Sequence, residues 1–283
     1  MKRTLLTVVT LALLQTAFAQ SKDGLYAAEF GIQTYSFRNS FPKGVEQTLD
    51  TIKSFGITEL EGNAPGKMTA EEFKKLCDAR GLSIPSTGCG YDQLVKDPQG
   101  VANTAKILGA KYVMTAWIPH DRGKFNLENA KKAVADFNAG GKVLKENGLT
   151  FCYHVHGFEF QPYEDGTLLD YIIKNTNPEY VSFEMDILWT HFGGGDPVAL
   201  LKKYGTRWKL LHVKDLKKGT PKDLTGGTSQ ENDVVLGTGE INLPAIIKEA
   251  NKLGITHFFI EDESSRVTKQ VPQSIAYLKS LKK

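Results

Sequence analysis

Two hydrophobic periods alternate along this chain. Short apolar runs rich in β-branched and aromatic residues are followed by longer stretches whose apolar positions lie three and four apart, the spacing of a helix. FGIQTYSF (30–37) predicts a first strand with Gln33 and Tyr35 on one face, and Val45–Phe55 a helix closed by Gly56. Further strands are predicted at 57–62, 82–88, 111–118, 149–160 with its loop, 181–189, 208–215 and 256–264. Helices fill the gaps, from about Thr69 to Gly81 and at 95–108, 127–146, 168–174, 197–204, 243–253 and 271–281. Thr69 followed by Glu72 is a capping-box signature. Residues 216–240 carry no periodicity, and a loop of that length in a compact domain either serves an active site or is disordered.

Eight strands alternating with helices, with no glycine-rich dinucleotide fingerprint after the first, predict an α/β fold: a single-domain (β/α)8 TIM barrel. A doubly wound open sheet is the runner-up. The first nineteen residues stand apart. Met1-Lys2-Arg3 is followed by an apolar run from Leu5 to Phe18 and by Ala17-Phe18-Ala19, the small-x-small pattern of signal-peptidase cleavage. The expectation is a secretory signal at 1–19 and a barrel domain at 20–283, with periplasmic or secreted localisation and no membrane insertion after cleavage.

Charge narrows the partners. With 35 Lys and Arg against 32 Asp and Glu, and no basic tract, nucleic acid is not an expected partner. Cys77, Cys89 and Cys152 are an odd number, read as three structural thiols.

The strand ends carry the chemistry. Polar pairs at i and i+2 fall at Glu59/Glu61, His154/His156, Glu184/Asp186, His212/Lys214 and Glu261/Glu263, and a strand projects such pairs to one face. In a barrel the C-terminal strand ends form the active-site mouth. Buried charges at that density must be paired or must hold a cation. Glu159, Asp186, His212 and Glu261 compose an oxygen-rich set with one imidazole, suited to one divalent ion such as Mn, Co, Mg or Zn. His154 or His156 is the alternative to Glu159 on the fifth strand, since neutral imidazoles bind metals readily. Such an ion would polarise a carbonyl while a base removes the adjacent proton.

YHVHGFEF, FEMDILW, GGDPVALLKKY, LLHVKD, GTGEIN and FIEDES, in that order, resemble the sugar phosphate isomerase/epimerase family with the xylose-isomerase-like TIM barrel. The similarity covers nearly all of the chain after residue 19. It implies a metal-dependent barrel that isomerises, epimerises, dehydrates or hydrates sugars and their keto derivatives. It also implies that Asp186, His212 and Glu261 match the family's ligands on strands six, seven and eight. His154, His156, Lys214 and Glu263 are the candidates for proton transfer. Gln33, Tyr35 and Glu61 are placed to bind substrate hydroxyls, and Trp117 and Trp189 to stack on a sugar ring or pack in the core. The expected partner is a small sugar, met outside the cytoplasm and without phosphate, because the sequence shows neither a P-loop nor an Arg cluster. The leading expectation is an exported isomerase or epimerase of a free or glycosidic (keto)sugar, working through an enediolate; a lyase or hydratase of 3-keto-glycosides, and a barrel that binds sugar without turnover, are the alternatives. Oligomeric state is not legible.

Overall fold

The hydrophobic runs become eight short parallel strands: β1 (Phe30–Gln33), β2 (Glu59–Glu61), β3 (Ser83–Gly88), β4 (Tyr112–Thr115), β5 (Thr150–His154), β6 (Val181–Asp186), β7 (Trp208–Val213) and β8 (His257–Ile260). In the computed structural model, which describes residues 25–26 and 30–282, they close into a barrel with β1 paired to both β2 and β8. The stretch expected to be a secretory signal, residues 1–19, lies outside the described residues. All six residues of β6 are buried, because a barrel strand has helices on its outer face and side chains filling its inner one.

Helices α1 (Val45–Ser54), α2 (Ala70–Asp78), α3 (Tyr91–Lys96), α4 (Pro98–Leu108), α5 (Leu127–Glu146), α6 (Leu168–Asn175), α7 (Ile187–Phe192), α8 (Pro197–Tyr204), α9 (Leu243–Lys252) and α10 (Val267–Leu281) connect the strands. Most of their starts are fixed by side chains that satisfy free backbone N–H groups. Thr69 and Glu72 form the capping box of α2, and Asn126 accepts from Glu128 and Asn129 at the start of α5. Gly140 and Gly141 sit inside α5 despite their low helix propensity. A Cβ at either position would run into Leu94 or the Tyr180 carbonyl, so these glycines let α5 pack close.

Three departures from the sequence reading have a clear local cause. β1 stops at Gln33, whose side-chain oxygen accepts the Tyr35 N–H at 3.1 Å and turns 34–37 into a 3₁₀ helix. The helix predicted at 95–108 is two helices, α3 and α4. Asp97 precedes Pro98, a position that disfavours helical backbone, and instead caps α4 through the Gly100 N–H. Trp189 lies in α7 rather than on a strand, because Asp186 ends β6 by accepting the Trp189 N–H at 2.8 Å.

The floor of the mouth follows from the period of two. Cys152, Leu210 and Phe259 form a small apolar cluster. Each lies two residues before His154, His212 or Glu261, hence one layer beneath it on the same face. The long loop after β7 is ordered from its root. The Asp215 carboxylate accepts the N–H groups of Leu216, Gly237, Gly239 and Ile241 at 2.9–3.1 Å. Arg266 holds the loop at Glu231, through its side chain and carbonyl, and at the Asp233 carbonyl.

Candidate metal centre and substrate cavity

Four strands aim polar side chains at one point. Asp186, His212 and Glu261 each bring a ligand atom within 4.8 Å of the others. His212 Nδ1 lies 3.2 Å from Glu261 Oε2 and 3.8 Å from Asp186 Oδ2. His154 enters from β5, its Nε2 also 3.8 Å from Asp186 Oδ2. That oxygen is buried and accepts no hydrogen bond, while its partner Oδ1 is held by the Trp189 N–H. A bare carboxylate oxygen facing two imidazoles is costly unless a cation answers it. Asp186, His212 and Glu261 at these separations suit a divalent ion bound at about 2 Å from each, with the His154 imidazole beside them. The residues fit the group.

Both imidazoles are oriented from behind. His154 Nδ1 lies 3.2 Å from Glu184 Oε2, which leaves Nε2 facing the centre. His212 Nε2 lies 2.5 Å from Glu61 Oε1 and 3.3 Å from Glu184 Oε1, which leaves Nδ1 facing it. Carboxylates behind metal-binding imidazoles fix the tautomer in this way. Gln33 donates to Glu61 at 2.8 Å and Ser86 donates to its other oxygen. Glu61 therefore orients His212 through a buried network. Burial and the neighbouring Glu61 push the Glu184 carboxyl well above the usual range. Burial and the charges of His212 and His156 hold His154 neutral, well below its ordinary value. Burial would do the same to His212, but Glu184 and Glu61 outweigh it and raise that imidazole well above 6.5.

The expected fourth ligand is corrected. Glu159 lies beyond β5 in a 3₁₀ turn entered through Gly157, whose φ of 93° suits glycine. Its carboxylate points away from the centre, accepting the His156 N–H at 2.9 and 3.2 Å and the Tyr153 hydroxyl. Burial raises its pKa to about 7 against those hydrogen bonds. On β5 it is His154, the other candidate, whose side chain faces Asp186. Glu59 also leaves the site: it bonds His257 at 2.9 Å, both being the first residues of their strands at the opposite end of the barrel.

Lys214 is wholly buried beside the centre, with Nζ 2.8 Å from Glu263, 3.2 Å from Glu261 and 3.6 Å from Asp233. Burial disfavours its charge, but Asp233, Glu261 and Glu263 overcome this and hold the ammonium well above its ordinary range. Three carboxylates around one ammonium keep it charged as a hydrogen-bond donor. Burial raises Asp233 to about 7 against the pull of Lys214. Glu263 pairs with Lys214, and Arg266 pairs with Glu231.

The centre opens into a cavity of about 860 Å³ whose wall includes Gln33, Tyr35, Trp117, His154, His156, Trp189, His212, Glu261 and Glu263. His156 stacks on Trp189 with centroids 4.8 Å apart and meets the edge of Trp117 at 5.1 Å. Burial lowers its pKa, and its Nδ1 has no hydrogen-bond partner. Asp233, Arg122 and the segment Gly226–Gln230 also line the cavity and were not singled out from the sequence. They lie in loops, where no period marks a residue as inward.

A family model for the xylose isomerase-like TIM barrel matches residues 43–281. An inosose dehydratase of Mesomycoplasma hyopneumoniae (strain 7448) is 24% identical over 268 residues, 90% of this chain and 86% of that protein. A second, from Clostridium beijerinckii, is 25% identical over 63% of this chain and 64% of its own length. Among solved structures, a sugar phosphate isomerase/epimerase from Parabacteroides distasonis superposes with a TM-score of 0.75 at 25% identity, covering 90% of this chain and 96% of that one. The IolI protein with a bound zinc atom superposes at 0.67 with 15% identity, covering 89% and 96%. Its closed parallel barrel and the family match over most of its length place this chain in the xylose isomerase-like TIM barrel family.

Proposed function

We propose that this protein is a divalent-metal-dependent enzyme of keto-sugar chemistry that removes the proton next to a carbonyl, acting as an isomerase or epimerase. The observation that carries the reading is the convergence of His154, Asp186, His212 and Glu261, with Asp186 Oδ2 buried and without a hydrogen-bond donor. A bound divalent ion would supply Lewis acidity to the substrate carbonyl. The chain's own groups do the rest. His156, neutral and on the cavity wall, accepts the α-proton. Lys214, held charged by Asp233 and Glu263, donates a hydrogen bond or a proton to a substrate oxygen. Trp117 and Trp189 flank the His156 ring and exclude water from the transfer.

A dehydratase is the second reading, favoured by the inosose dehydratases that align along most of the chain. The two share proton abstraction and part afterwards, at reprotonation or loss of a β-oxygen. The zinc held by a protein of the same fold supports a divalent ion here without naming it. The leader at 1–19 supports export, and with it a substrate that carries no phosphate.

Incubating a panel of keto-sugars with the Mn²⁺-loaded protein in D₂O tests the reading. Solvent deuterium should enter substrate or product with wild type and not with Asp186→Asn. No incorporation into any panel member would sink both variants.

A further inference from the structure

The cavity is larger than one sugar ring needs, and its two sides differ. The polar centre occupies the side of β5 to β8. The opposite side, over β1 and β2, is walled by Tyr35, Phe41, Pro42, Val45 and Pro65. A pocket of this volume lies toward the upper end of the range that encloses drug-sized ligands.

Tyr35 stands at the rim of that side. Among the described residues only three large hydrophobic side chains are strongly exposed, and Tyr35, at 51%, is the one that lines the cavity. Exposed aromatics are ordinarily mobile, but this one is braced. The Arg38 guanidinium lies 4.6 Å from its ring centroid. Arg38 is fixed in turn, donating to the Tyr35 carbonyl at 3.1 Å and the Glu263 carbonyl at 2.8 Å. A flat ring held at the rim, beside an apolar shelf and across from the polar centre, is a prepared stacking surface.

We infer that the β1–β2 side is a second subsite, which takes a ring-shaped substituent joined to the sugar through its glycosidic oxygen. The substrate class is then a glycoside of a keto-sugar rather than a free monosaccharide. This deepens the proposed function and rests on its placement of the sugar at the metal centre.

Isothermal titration of the Mn²⁺-loaded protein with 3-keto-sugars of the gluco and galacto series, as methyl glycosides, 4-nitrophenyl glycosides and disaccharides, tests it. An aryl glycoside or a disaccharide should bind about three- to tenfold tighter than the methyl glycoside, the gain expected of one aromatic stack. Whichever of the two shows the gain identifies the substituent. Tyr35→Ala should erase the gain while leaving methyl glycoside affinity within about twofold, and Tyr35→Phe should retain it. Equal affinities across the panel, a gain that survives Tyr35→Ala, or no binding at millimolar concentration would each overturn the subsite. If the gain is seen but no deuterium is exchanged, the reaction fails and the subsite stands.

Discussion

Replacing Glu159 by Gln separates a metal ligand from a structural carboxylate, and its outcome can be worked out in sign and size. The wild-type side chain is fully buried and has its pKa raised from 4.5 to about 7. A group with a raised folded pKa contributes most below its unfolded value and loses that contribution as pH climbs through the folded one. Wild type should therefore surrender about 3 kcal/mol between pH 4.5 and 7 on account of Glu159, at about 1.4 kcal/mol per unit. Gln cannot ionise, so it escapes that loss. It keeps one oxygen for the His156 N–H but sets an amide where the second oxygen accepted, a mismatch costing about 1–2 kcal/mol. Urea denaturation should show Glu159→Gln less stable than wild type at pH 5 and equal or more stable at pH 8. Its affinity for Mn²⁺ or Zn²⁺ should stay within a few-fold of wild type. His154→Ala, which removes a ligand of the proposed centre, should lose about a hundredfold or more. The reasoning is refuted if Glu159→Gln loses metal as severely as His154→Ala while its pH profile of stability matches wild type.

Other outcomes follow from the same geometry. Metal affinity should fall as pH drops, because the proton that Glu184 and Glu61 favour on His212 must leave before the ion binds; titration at two pH values in two buffers reads the released proton. Asp186→Asn should abolish the upward shift in Tm that saturating Mn²⁺ gives wild type, about 2.7 kcal/mol of stabilisation at a hundred times Kd. Asp215→Ala leaves four N–H groups of the long loop without their acceptor and should cost about 3–5 kcal/mol, with new protease cuts between 216 and 240. Asp170 has its pKa lowered to about 2: burial acts to raise it, and hydrogen bonds from Lys203, Tyr204 and Thr167 prevail. Its contribution is present above pH 3.8 and lost as pH falls toward 2, so Asp170→Asn should cost about 1 kcal/mol at pH 7 and nothing at pH 2, since half-exposed Lys203 is screened.

Much of this was legible in the chain because periodicity reports packing. The bounds of α5 and α8 fall where the spacing placed them, since their caps and apolar faces are local. Asp186, His212 and Glu261 meet because a strand's period fixes which face a residue takes. The fifth strand misled for the opposite reason. The backbone leaves extended geometry after His154 and reverses at Gly157, so counting along FEF says nothing of where Glu159 points. Tyr35 moved from an inner face to the rim by the same kind of turn. Asp233 belongs to a loop whose position depends on the distant Asp215, Glu263 and Gln270 contacts, which no local pattern encodes.

The anchoring of the segment after β7 bears on kinetics. Its backbone is tied down on one carboxylate and clamped to α10, and Gly226–Gln230 already stand against the cavity. A wall that is built before its ligand arrives does not need a hinge that swings shut. Turnover should then be insensitive to solvent viscosity once encounter is saturated, and discrimination among sugars should show in how tightly they dock instead of in a slow rearrangement afterwards.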